Sequence, residues 1–129
     1  MADDVTDRPP VREPNFAPIV AGDFKVSEFG WNGETDTFYV VLNDSKGRLA
    51  INTPLDDLAW ARYDVETGEV LGFEIEGFVA AYISAHPKFA EVWTSIEPVA
   101  QRATSMSVRP RPDASPISAG LVAELAGAR

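Results

Sequence analysis

From Phe24 onward apolar and polar positions alternate in short runs, and from Phe78 onward they recur at helical spacing. That change of period divides the chain into a sheet-forming part followed by helices. The first strand runs from Phe24 towards Asn32-Gly33, a pair that tolerates positive φ and suits a hairpin turn. Thr37-Phe-Tyr-Val-Val-Leu42 returns, rich in the aromatic and branched residues that fill pleated sheets, and Asn43-Asp-Ser-Lys-Gly47 closes it as a second turn. Arg48 to Asn52 reads as a third short strand. Thr53 to Leu58 reads as a loop or one helical turn, with Thr53 as cap and Pro54 at the first helical position. Ala59 to Asp64 and Glu69 to Ile75 form a further hairpin around Glu66-Thr67-Gly68, with Gly68 in the left-handed conformation. In its return strand Leu71, Phe73 and Ile75 share one face and Gly72, Glu74 and Glu76 the other, as in a sheet buried on one side.

Phe78, Val79, Tyr82 and Ile83 make an apolar helical stripe, and after Pro87 a second stripe follows with Phe89, Val92, Trp93 and Ile96. Together they form a lid for the sheet. The fold expected is therefore α+β: a small antiparallel sheet of four to five strands, a meander of hairpins, with one or two helices packed on one face. Residues 23–97 make up this domain. Residues 1–22 carry four prolines among acidic residues and read as an extended arm whose one sticky patch is Asn15 to Val20. Residues 98–129 read as a flexible tail rich in Pro, Ser and Ala, ending in a short helix from Ser118 that orders on docking.

At 129 residues, 45% of them hydrophobic, the chain has room for one core and not two. No apolar run approaches about 18 residues, and the acidic start lacks the pattern of a signal peptide, so a cytoplasmic protein with no membrane insertion is expected. Cysteine is absent, which removes disulfides, thiolate metal sites and cysteine nucleophiles. The net charge of -9 disfavours nucleic acid and anionic lipid. Most of the acidity is central: residues 23–96 hold 13 acidic against 5 basic side chains, whereas residues 97–129 hold 3 against 4.

The run Asp36-Thr-Phe-Tyr-Val-Val-Leu42, followed by Ala61-Arg-Tyr-Asp64-Val-Glu-Thr-Gly68-Glu-Val-Leu-Gly72-Phe-Glu74-Ile75, resembles a family of small bacterial proteins known as domain of unknown function 2283. The likeness covers roughly residues 36–76. It lies in an acidic residue before an aromatic strand, a Tyr-Asp turn to Gly, and Gly-x-Glu-Ile. It departs at Phe38, where the family has Leu, and in the long insert from Asn43 to Leu58. The resemblance implies an antiparallel sheet with a helix packed on it and brings no catalytic residues.

Little in the chain points to catalysis or to a cofactor. Asp64, Glu66 and Glu69 surround Gly68 in a way that could gather a hard cation, but turn residues serve their own backbone first, so neither a metal nor a cofactor is expected. Glu74, Glu76 and the single histidine, His86, would form a hydrolytic or binding pocket only if all three converge. His86 also fits a plainer role between two helices, beside Pro87. No nucleophile elbow, phosphate loop or dinucleotide fingerprint is present.

The twelve large aromatics of residues 24–93 are mostly packing, with two exceptions. Trp31 sits near a hairpin tip, and Trp60 is out of phase with Ala59, Ala61 and Tyr63, which places it either on the outer sheet face as an interface anchor or under a loop. Phe16 and Ile19 in the arm and Leu121 and Leu125 in the tail are apolar anchors on segments too short to fold alone. These six residues are the candidate interface. The leading expectation is a noncatalytic accessory or assembly subunit of a bacterial complex that binds a protein partner or itself. An acidic antitoxin or inhibitor masking a basic surface is the alternative, and a small hydrolase or ligand-binding protein the third.

Overall fold

Strands whose side chains alternate leave one apolar face to be covered, and the computed structural model, which describes residues 12–102, 104–110 and 117–127, covers it with the helices formed by those residues. The strands are β1 (Val26–Asn32), β2 (Thr37–Leu42), β3 (Ile51–Pro54), β4 (Ala59–Tyr63), β5 (Val70–Glu76) and β6 (Ser105–Val108). They form one open antiparallel sheet in the order β3-β4-β5-β2-β1-β6. The helices are α1 (Ala17–Val20), a π-helical turn Phe78–Tyr82 running into α2 (Ile83–Ala85), α3 (Pro87–Ala100) and α4 (Ala119–Gly127). Three neighbouring pairs are short hairpins, β1–β2, β3–β4 and β4–β5; β5 also pairs with β2, which joins them into one sheet, and β6 returns after the helices to pair with β1.

The inner face is aromatic at its centre. Phe29, Phe38, Phe73 and Phe78 are at most 1% exposed, and the Phe38 and Phe78 rings stack at 4.5 Å, tying β2 to the first helical turn. Tyr82, Phe89, Val92, Ile96, Leu121, Val122 and Leu125 complete the same core from the helices. The first helical turn is anchored by Asp36, which takes a φ of 52° so that its carboxylate reaches the N–H groups of Val79 and Ala80 at 2.9–3.1 Å, while its own carbonyl accepts Phe78 N–H. An acidic residue before strand β2 thus works as an N-cap supplied from a distance in sequence.

The α+β class and the one-sided helical layer are as the sequence implies, with six strands among the described residues in place of four or five and four helices in place of one or two. The sixth strand comes from Ser105-Met-Ser-Val108, a stretch the composition assigned to the tail; Met106 points into the core and is 9% exposed. Pro54 ends an edge strand and opens no helical turn. Its missing N–H costs nothing there, because Thr53 faces β4 and Pro54 faces outward. Residues 15–20 and 119–127 also join the body: α1 packs on α4, with Ile19 and Val122 at most 2% exposed. Upstream of α1, Arg12 and Asn15 donate to the carbonyls of Val65 and Gly68 at 3.0 and 2.8 Å, along the turn between β4 and β5. Residues 1–11 of the arm, and Arg111 to Pro116 of the Pro-rich segment, lie outside the described residues.

Candidate functional site

Inward Ala59, Ala61, Phe73 and Ile75 turn Trp60, Arg62, Gly72 and Glu74 to the outer face, which no helix among the described residues covers. One row across that face reads Pro54, Trp60, Glu74, Tyr39, Gly30, Ser107. Tyr39 leans over Gly30, where any Cβ would meet its ring, and its hydroxyl donates to Glu28 Oε2 at 3.1 Å. The Glu28 side chain is only 5% exposed, with Lys46 Nζ at 3.2 Å and Arg109 Nε at 3.9 Å. Burial would raise the Glu28 pKa, but hydrogen bonds from Lys46, Tyr39 and Ser107 and the Lys46 charge outweigh it and hold the carboxyl below its ordinary value.

The six candidate interface residues divide. Trp60 stands on the outer face, half-buried, with its indole Nε1 covered and without a hydrogen-bond partner. Trp31 lies on the inner side instead, edge-on to Trp93 at 5.0 Å and donating from Nε1 to Asp36 at 2.9 Å. Ile19, Leu121 and Leu125 are 2–5% exposed within the core, and Phe16 packs against it, so these four hold the outer described segments to the sheet and its helices.

The acidic groupings are dispersed or neutralised. Arg48 bridges Asp64 at 2.6 Å and Glu69 at 2.8 Å, and the hydrogen bond from Arg48, then that from the Glu66 backbone, lowers the Asp64 pKa. Among the described residues no group of three or more His, Asp or Glu side chains is arranged to hold a metal. Glu74 and Glu76 belong to the outer face, whereas His86 stacks on the core residue Tyr82 at 4.0 Å on the inner side. The three do not share a pocket.

Two features escaped the sequence reading. The first is the free edge of β6. Gly33 N–H donates to Thr104 at 2.7 Å, so Met106 and Val108 bond to β1 in the same phase, and the N–H and C=O of Ser105 and Ser107 point away from the sheet. Among the described residues nothing meets them. The alternation Ser-Met-Ser-Val was the available signal, too short to stand out. The second is a pocket of about 420 Å³ where α2 and α3 meet α4, lined by Tyr82, His86, Phe89, Glu124, Leu125 and Gly127. It depends on two segments some forty residues apart, which no local pattern links.

Comparison of the chain with protein-family models, with curated proteins and with solved structures returns no match. No helix among the described residues is long and apolar enough to cross a membrane.

Proposed function

We propose that this chain is a noncatalytic interaction module, an accessory subunit that docks an extended segment of a protein partner by strand addition at β6. The observation that carries this reading is the contrast between the two edges of the sheet. At β3 the outward position of Pro54 has no N–H to offer, which blunts that edge. At β6 the outward groups of Ser105 and Ser107 are complete and carry no guarding charge or proline within the strand.

The surroundings of β6 favour one kind of partner. Arg102 and Arg109 flank the strand and are both exposed, making a cationic strip on an acidic molecule. A partner segment carrying carboxylates suits this strip better than the basic partner an acidic inhibitor would require. The half-buried Trp60 on the open outer face lies further across the same sheet and supplies a second anchor for a larger partner.

The test is Ser105→Pro, which removes one outward N–H at the first position of the strand, leaves the ladder between β1 and β6 intact and spares Ser107, whose side chain bonds Glu28. Retention of a stoichiometric partner by the wild-type chain and its loss in Ser105→Pro, at unchanged thermal midpoint, supports docking at β6. Equal retention by both chains removes this edge from the reading.

A further inference from the structure

The pocket between α2, α3 and α4 has a polar group at its base that the fold leaves unused. Tyr82 is 2% exposed, lines the pocket, and among the described residues its hydroxyl meets no hydrogen-bond partner. Tyr82 forms part of the pocket wall, so a group bound there is the partner open to this hydroxyl. A buried hydroxyl left without a partner is costly, and a ligand group able to pair with it gains accordingly.

The walls define what else that ligand must be. Phe89 and Leu125 are apolar, and the His86 and Tyr82 rings stack in near-parallel at 4.0 Å. At the mouth Glu124 is half-exposed, held only loosely by Lys88 Nζ at 3.4 Å. Burial first, then the charges of Asp56 and Glu124, push the Tyr82 phenol well above its ordinary pKa. It therefore stays a neutral hydroxyl facing a negative field. Carboxylate, aromatic faces and an open hydroxyl together form the chemistry that recognises an ammonium group.

We infer that this pocket binds a small amine: a protonated amino group seated between Glu124 and the Tyr82 hydroxyl, with an apolar or aromatic body against Phe89 and Leu125. A volume of about 420 Å³ lies within the range of small-ligand sites. The site is separate from the β6 edge, and its failure would leave that reading untouched.

His86 is the only histidine of the chain, so its imidazole C–H resonances report on the pocket without interference. Phenethylamine is titrated into the full chain at fixed pH, beside the equally sized neutral 2-phenylethanol and anionic phenylacetate. The expected result is a saturable shift of the His86 signals by the amine, weaker with the alcohol and absent with the acid. Glu124→Gln should weaken the amine about three- to fivefold and leave the alcohol unchanged, as for loss of one half-exposed ion pair. Tyr82→Phe, which keeps the buried ring, should weaken both the amine and the alcohol by about three- to tenfold. Lys88→Met removes the competing cation and should strengthen the amine. Unmoved His86 signals, or amine and acid binding alike, overturn the inference.

Discussion

Asp36 ties the sheet to the helical layer through a single residue. Its carboxylate accepts from Val79, Ala80 and Trp31, and its carbonyl from Phe78, so one residue fixes the entry of the helical layer and the position of an indole on the inner face. A single N-cap contributes up to about 2 kcal/mol, and the indole N–H adds about 1 kcal/mol when left unpaired. Asp36→Ala should therefore cost about 2–3 kcal/mol in urea denaturation at an unchanged slope, with Asp36→Asn intermediate because one acceptor oxygen remains. A second residue-scale expectation concerns pH. Glu28 and Asp64 both have folded pKa values below their ordinary ones, so their stabilisation is present above the ordinary carboxylate range of about 4 and disappears as pH falls through the lower folded values. The gap in urea midpoint between wild type and Glu28→Gln should close on acidification below that range. A gap that persists unchanged at low pH would mean that Glu28 acts through packing and not through its charge.

At the scale of elements, what was legible in the sequence is what local chemistry decides. The β4–β5 hairpin follows from Gly68, whose φ is 79°, and from the alternation of Leu71 to Glu76; the helical layer follows from the stripes after Phe78. The phase of Trp60 was legible for the same reason, since alternation alone puts it opposite Ala59 and Ala61. Pro54 was not, because proline suits both the first turn of a helix and the outward position of an edge strand, and only pairing with Trp60 decides between them. Nor was β6, four residues long, whose strand state is imposed by β1. The two edges can be exchanged by mutation. Pro54→Thr restores an outward N–H at β3, and we expect concentration-dependent self-association by sedimentation, absent in the wild-type β3 edge. A chain that stays monomeric at every concentration would show that Pro54 is not what guards β3.

The two ends of the described chain matter at the scale of the whole molecule because they meet: α1 packs on α4, and both close the core over the inner face of the sheet. The domain that the sequence suggested, residues 23–97, lacks Ile19, Met106, Leu121, Val122 and Leu125, all of them buried here at 9% exposure or less. Removing one such leucine side chain costs about 2–5 kcal/mol, a large share of the 5–15 kcal/mol that small domains possess. Leu125→Ala should lower stability by about that amount while unfolding remains a single transition. A chain ending at Pro110 loses the whole of α4, and with it one wall of the pocket that Tyr82 opens into. It should unfold at lower urea than Leu125→Ala and with reduced cooperativity, while its β6 edge is still present. If the shortened chain instead matches the wild type in midpoint and slope, α4 is an attachment and not a part of the core. The amine site would then have to be sought without it.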